Sequence, residues 1–343
     1  MLSNIPVHTM VRPLISVIIP THGPRAALLS RAIKSAIDGL SKEDVEIVLI
    51  PNGAGPGWRD ICSEYADMCQ LVVVEQEQAD RNLARAKGLS VARGRYVRFL
   101  DDDDYLIPSQ AAKQYDALLS EPTLDVCSSP VSIVDSDGVV ISTRELPNTN
   151  DFVTSILLPS RIPLFLAHVF KTETAKSVGM PLDVKRAEDA VFLLRLCRLH
   201  EIRWVSLTHP AAAWYQHQTG RISSHKGFQI GRKIIAAELF ELFRHLQSKS
   251  QLTSERRNAT ADALWECVHK GFPRQPWYWS MIGKEVLQTF PNSKPSQLPK
   301  MLTLNGHLNP LIGEWGLVPI WQIILAYRAL KSTIFKDGYK RIV

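Results

Sequence analysis

Residues 94–104 read Gly94-Arg95-Tyr96-Val97-Arg98-Phe99-Leu100-Asp101-Asp102-Asp103-Asp104, a breaker, a short apolar run and four consecutive carboxylates. The run Tyr96 to Leu100 has the length and composition of a buried strand. Four aspartates directly after such a strand raise each other's pKa and weaken folding unless a cation neutralises them. Oxygen-only carboxylate ligation suits Mg²⁺ or Mn²⁺. An ion held there would bridge to a diphosphate and offset charge developing on a departing nucleotide. The plainer alternative is a solvated acidic turn capping the helix that begins near Pro108, because aspartate at a helix N-terminus is stabilising in any case.

Outward from this stretch, the first hundred residues alternate β-rich apolar runs with helical patterns, the sign of βαβ units around a parallel sheet. Leu14 to Ile19 reads as a buried strand, and Pro24 sits where a helix N1 residue would. Ala27, Leu28, Ala32, Ile33 and Ile37 then recur at helical spacing up to Gly39. A second strand, Val45 to Ile50, stops at the breaker cluster Pro51 to Gly57, and a helix comes next through about Cys69. Strand Leu71 to Glu75, a helix over Arg81 to Arg93 stopped by Gly94, and strand Tyr96 to Leu100 bring the expected count to four parallel strands. Ligands of open α/β sheets bind beyond the carboxyl ends of the strands. The segments after Ile19, Ile50 and Leu100 therefore converge on one crevice, bringing Thr21, His22, the Pro51 to Gly57 loop and Asp101 to Asp104 together.

From about Asp125 the pattern becomes less regular, with a hairpin expected over Ser132 to Ile141 around Asp137-Gly138. A helix over Glu188 to Leu199 and strands near Arg203 to Ser206 and Ala211 to Tyr215 close this half. Beyond Lys226 the chain is helical and amphipathic through about Gly271, then Pro- and Trp-rich, and ends in a basic apolar segment.

Across 343 residues, 45% hydrophobic and 22% charged side chains exclude a disordered or collagen-like chain, and the length suggests two domains. Five cysteines at irregular spacing, without a CxxC pair, read as buried free thiols in a reducing compartment. The N-terminal run lacks a charged n-region followed by a signal-length apolar core, and no stretch approaches the ~20 apolar residues of a spanning helix. The expected location is therefore cytoplasmic. A net charge of +6 with dispersed Lys and Arg argues against a nucleic-acid partner.

Ser16-Val17-Ile18-Ile19-Pro20-Thr21, then Ala84-Arg85 with Gly88, then Ala92-Arg93-Gly94-Arg95-Tyr96 running into Phe99-Leu100 and the four aspartates, resemble the GT-A, family 2 glycosyltransferases in order and spacing. The resemblance covers about residues 13 to 225. It implies an α/β GT-A fold, a Rossmann-like mixed sheet flanked by helices, as a catalytic domain over 1–225, followed by a mostly helical C-terminal region over 226–343. It implies a metal-dependent inverting transfer of a sugar from a nucleoside diphosphate, a UDP-sugar being favoured, to a glycan or lipid-linked acceptor hydroxyl in surface polysaccharide or glycolipid synthesis. Asp101 and Asp103 would form the DxD element, Asp101 near the ribose and Asp103 on Mn²⁺ or Mg²⁺, with Asp102 or Asp104 supporting. Pro20, Thr21 and His22 would line the nucleotide, and Arg81, Arg85 and Glu188 would belong to the donor site. Asp189, of the Glu188-Asp189 pair, would take the acceptor proton. An ordinary acidic pair in the first turn of a helix is the other reading of those two residues. Tyr215-Gln216-His217 resembles the segment that closes over the diphosphate in relatives, with His217 as a metal or phosphate contact and Arg221 or Lys226 neutralising the leaving group.

Three positions depart from that family pattern. Pro51-Asn52-Gly53-Ala54 stands where two acidic residues and Gly-Ser are common, Ala86 replaces a frequent Asn, and Gln216 a frequent Arg. Asn52 can still hydrogen-bond a pyrimidine through its amide. A binding or scaffold protein with a decayed donor site is the alternative those departures motivate. A nucleotidyltransferase is disfavoured by the loop Thr21-His22-Gly23-Pro24-Arg25. In the tail, Leu317 to Tyr327 followed by Arg328, Lys331, Lys336, Lys340 and Arg341 resembles an interfacial helix that, with Trp277 and Trp279, docks peripherally on the cytoplasmic face of a membrane. Packing back onto the domain and a homodimer contact are the other readings of that segment.

Overall fold

The computed structural model describes residues 12–22, 25–53, 55, 57–158, 164–216, 225–293, 295–296, 298 and 309–340, with backbone alone for 225–228 and 328–340. The chain divides into two compact units, one of residues 1–156 and 161–224, the other of residues 157–160 and 225–343.

In the first unit the βαβ reading holds. Strands β1 (Ile15–Thr21), β2 (Val45–Pro51), β3 (Gln70–Val73) and β4 (Tyr96–Phe99) are mutually parallel in the order β3-β2-β1-β4. They are joined by α1 (Ala26–Ile37), α2 (Trp58–Tyr65) and α3 (Arg81–Val91). The period of two divides the faces. Ile15, Val17 and Ile19 of β1 and Val45, Ile47 and Leu49 of β2 pack in one core with Leu29, Ala32, Ile33 and Ala36 of α1. On the other face α3 lies so close to β1 that a Cβ on Gly88 would sit 2.4 Å from Ile18 Cγ2. Gly88→Ala is thus a test of this layer. Alanine gains about 1 kcal/mol of helix propensity, but overpacking a buried contact costs about 1–3 kcal/mol. The expected result is a lower urea midpoint with an unchanged slope.

Glu46 points from β2 into the same face, fully buried. It keeps its charge solvated by Ser16 Oγ (2.5 Å), the Arg93 amide (2.8 Å) and Arg93 Nε (2.6 Å), as a buried carboxylate requires. Gly94 carries the chain past this point, where a Cβ would meet the Ser16 backbone nitrogen at 2.4 Å.

The irregular half holds what local pattern did not reveal. After β5 (Tyr105–Leu106) and α4 (Pro108–Ser120) come β6 (Val126–Ser128), β7 (Val131–Val134), β8 (Val140–Arg144) and α5 (Phe152–Leu157). They are followed by β9 (His168–Lys171), α6 (Thr172–Val178), α7 (Glu188–Leu196), β10 (Trp204–Ser206) and β11 (Ala212–Tyr215). Strand β9 runs antiparallel between β4 and β6, extending the main sheet to β10-β6-β9-β4-β1-β2-β3. A second sheet, β5-β11-β7-β8, contains the expected hairpin, β7 with β8, whose turn holds Gly138 at φ +80°. Two helices stop earlier than expected. α2 ends at Tyr65 and gives way to a turn, leaving Cys69 buried ahead of β3, and α7 ends at Leu196. Cys62 is half-buried and the other four cysteines are buried, all free; burial pushes the Cys127 and Cys267 thiols up to about 12, which makes them poor nucleophiles.

The second unit contains α8 (His225–Ser248), α9 (Ser254–Gly271), α10 (Pro276–Thr289) and α11 (Pro310–Lys340). Thr253 caps α9 by accepting from the Arg256 amide (3.2 Å). Trp265 and Trp279 are fully buried in this bundle, which corrects the expectation that Trp279 faces outward. Trp277 is exposed as expected. α11 is anchored by the buried Glu314, 2.9 Å from His269 Nδ1 on α9. No helix among the described residues is long and apolar enough to cross a membrane.

Candidate active site

The four aspartates at the carboxyl end of β4 are held by groups from elsewhere in the fold. Each has its own partner from another element. Asp101 receives Arg85 Nη2 of α3 at 2.6 Å, and Asp102 accepts from Thr21 Oγ1 at the end of β1 at 2.6 Å. Asp103 pairs with Arg25 at the start of α1 (2.5 Å), while Asp104 accepts the Tyr215 amide of β11 (2.9 Å). The parallel register puts these groups at one end of the sheet, where Thr21 is the last paired residue of β1 and Leu100 lies just past β4. One carboxylate oxygen each from Asp101, Asp103 and Asp104 lie within 4.8 Å of one another. Such a set of hard oxygen donors fits a divalent cation of the Mg²⁺ or Mn²⁺ kind. Asp104 thereby joins Asp103 as a potential ligand.

Electrostatics separates Asp101 from Asp102 and Asp104. At Asp101, burial works to raise the pKa, but the Arg85, Arg81 and Arg25 charges outweigh it and hold the carboxyl below the usual range. Burial raises Asp102, helped by its neighbours Asp103 and Asp101 and opposed by the Thr21 hydrogen bond. Asp104 lies well above the usual range, from burial and then from Asp101 and Asp103.

Arg85 links the aspartates to the second acidic pair. Buried on α3, its guanidinium also reaches Glu188 at 3.3 Å, and Arg81, one turn earlier, pairs with the same carboxylate. Asn82 donates to the Pro181 and Val184 carbonyls (2.8 and 2.9 Å) and ties α3 to the loop that leads into α7. Ala187, at φ +58° and ψ 29°, sits in the left-handed region immediately before Glu188. A non-glycine residue held there costs of order 1–3 kcal/mol and persists only where its surroundings impose it. Glu188 turns inward to the arginines, while Asp189 stays half-buried and accepts from the Ala190 amide at 2.9 Å. Burial, then the Glu188 charge, push the Asp189 carboxyl above its ordinary value, against the opposing pull of Arg85.

Thr21, Asp101, Asp102, Asp103, Arg81, Arg85 and Glu188 are therefore brought to one end of the sheet, Arg81, Arg85, Glu188 and Asp101 in one hydrogen-bonded set and Thr21 with Asp102 in another. Pro20 is buried in β1 and His22 is exposed just beyond it. Asn52 is engaged elsewhere: its Oδ1 accepts from the Asp80 amide (2.8 Å) and Gln76 Nε2 (3.2 Å), so any base contact has to run through its NH₂. His217 and Arg221 lie outside the described residues. Three contributors escape sequence reasoning. Arg25 reads from order alone as no more than a loop residue. Arg31 donates to the Asp103 carbonyl (2.7 Å) between the Tyr105 and Tyr215 rings (4.5 and 4.3 Å). Asp80 caps α3 through the Asn82 and Leu83 amides. An aspartate directly before the helical run is a readable N-cap signal; nothing local marks the two arginines.

The sequence model of Glycosyl transferase family 2 matches residues 16–169. An uncharacterized glycosyltransferase of Methanocaldococcus jannaschii is 26% identical over 54% of this chain and 65% of that protein. The poly(ribitol-phosphate) beta-N-acetylglucosaminyltransferase TarS of Staphylococcus aureus is 26% identical over 71% of this chain and 43% of that protein. The chain thus spans less than two thirds of the length of these relatives. Among solved structures, TarS 1-349 in complex with UDP-GlcNAc superposes with a TM-score of 0.57 at 18% identity, covering 90% of this chain and 91% of that one. The Pyrobaculum calidifontis mannosyltransferase PcManGT, in complex with GDP-Man and Mn²⁺, gives 0.50 at 14% identity over 90% and 87%. With the β4 aspartates, the Arg85 bridge and the Glu188-Asp189 pair in place on a mixed sheet of this topology, the chain has the GT-A fold, and its residues 16–169 match glycosyl transferase family 2.

Proposed function

We propose that this chain transfers a sugar from a nucleoside diphosphate to an acceptor hydroxyl, with inversion at the anomeric carbon, as a step in building a cell-surface glycan. The observation that carries the reading is the carboxylate set of Asp101, Asp103 and Asp104 at the end of β4, joined through Arg85 and Glu188 to Asp189. Asp103, with Asp101 and Asp104, would hold Mn²⁺ or Mg²⁺, which supplies positive charge against the donor diphosphate. Asp189 takes the proton of the acceptor hydroxyl while that oxygen bonds to the anomeric carbon. The bond from that carbon to the diphosphate oxygen breaks, and its electron pair leaves with the nucleotide. A carboxylate made more basic by burial and by Glu188 is suited to this role. Arg81 and Arg85 hold Glu188 inward and leave Asp189 the freer of the two.

TarS, named for N-acetylglucosaminyl transfer to poly(ribitol-phosphate), and its complexes with UDP and UDP-GlcNAc support a UDP-sugar donor and a polymer acceptor. Titration calorimetry with UDP and GDP, with and without Mn²⁺, tests the reading. The expected result is binding of UDP that requires the metal, followed by slow hydrolysis of a UDP-sugar. Binding of neither nucleotide under any metal condition would favour the decayed-site alternative instead.

A further inference from the structure

The charge of the chain is not evenly shared. Residues 225–343 carry 17 Lys and Arg against 8 Asp and Glu, whereas residues 1–224 carry 23 against 26. The excess of +9 on the second unit coincides with its exposed apolar surface. Along α11, Ile312, Gly316, Ile320, Ile323 and Tyr327 succeed one another at spacings of four, four, three and four, which is one face of a helix. Ile323 is 71% exposed and Tyr327 63%. The other side of α11 is occupied: Glu314 meets His269, Trp315 Nε1 donates to Ser280 (2.8 Å), and Gln322 donates to the Pro273 carbonyl (2.8 Å).

α10 carries exposed apolar side chains of its own. Trp277, 79% exposed, packs edge-on against Trp315 of α11 with ring centroids 4.9 Å apart. Met281 and Lys284 share the Trp277 face of α10, and both are exposed, as is Arg274 just before the helix. Beyond Tyr327 the same helix carries Arg328, Lys331, Lys336 and Lys340 against a single acid, Asp337. A tryptophan, a tyrosine and isoleucines, with cations next along the sequence and no helix apolar enough to span among the described residues, have the chemistry of a segment lying in the plane of a membrane interface.

We propose that the outer face of α10 and α11 docks on an anionic phospholipid surface. A second copy of the chain is the competing occupant, and charge disfavours it. A two-fold contact sets each basic segment against or beside its own copy, whereas acidic headgroups attract it. The docking goes beyond the transferase reading and is tested without it, because the assay contains neither donor nor metal.

The full chain is sedimented with vesicles of mixed phosphatidylglycerol and phosphatidylcholine, and with phosphatidylcholine alone. Binding to the mixed vesicles that weakens with added salt is expected. Replacing Ile320 and Ile323 together by serine should lower the bound fraction at limiting lipid by at least about tenfold. Trp277→Ser, on a different helix, should act in the same direction. Circular dichroism and light scattering accompany both variants, which change exposed side chains only. Equal binding to both vesicle types would overturn the anionic surface as the occupant. No binding to either, with a dimer that the serine variants dissociate, would assign the face to a second copy.

Discussion

Asp189→Asn is expected to lower kcat/KM for sugar transfer by about 10²–10⁴-fold, the range that a positioned general base contributes, while donor binding stays close to normal. Asparagine keeps the shape and the oxygen that accepts from the Ala190 amide. Only the ability to take a proton is removed. The wild-type pH profile carries the same information. Burial and Glu188 raise the Asp189 pKa, so the acidic limb of kcat/KM should lie above the ~3.9 of an ordinary aspartate, and activity should rise with pH through it. Stability moves in the opposite sense. A carboxyl whose pKa is raised by folding contributes stability that is full below its unfolded pKa and is lost as pH climbs through the folded value. At neutral pH the ionised Asp189 is therefore a burden on the fold, and Asp189→Asn should melt at the same temperature or higher. That difference should vanish in acid. Near-normal turnover in this variant would remove Asp189 from the mechanism.

Asp103→Ala is the second large effect, expected to weaken Mn²⁺ binding by at least about 100-fold and to abolish transfer. Arg25 offers the complementary test. Its guanidinium lies 2.5 Å from Asp103, where it competes with any added cation. Arg25→Gln should therefore tighten Mn²⁺ binding, measured by the spectroscopic signal of the free ion. The partners' side chains are 30% and 21% exposed, and such a pair contributes about 0–1 kcal/mol to stability. Both variants should consequently melt within about 4 °C of the parent. Mn²⁺ affinity unaltered by Asp103→Ala would refute the assignment of the aspartate cluster.

Much of this architecture is legible in the order of residues. The apolar runs of β1, β2 and β4 and the breakers after them place the strands, and a parallel sheet then gathers the loops beyond those strands at one edge. The hairpin of β7 and β8 is readable from Asp137-Gly138. The antiparallel insertion of β9 is not, because His168–Lys171 is four residues long and pairs with strands far away in the chain. Nor is the partnership of β5 with β11, two residues of strand defined only by their neighbours in space. Trp277 and Trp279 look alike in sequence. One is exposed and the other lies against Gly271, whose missing side chain makes the space.

Residue order alone establishes that a run of carboxylates ends a buried strand and that a second acidic pair opens a later helix. Both come from periodicity and breakers, which act over a few residues. It took packing in three dimensions to make Arg85 span both groups, to bring Arg25 to Asp103, to tie up Asn52 with Asp80 and Gln76, and to turn Glu188 inward but not Asp189. Those outcomes depend on which side chains the fold brings within hydrogen-bonding distance and how far it removes water from them. Coulomb and desolvation energies vary steeply with both, and neither is encoded in local spacing.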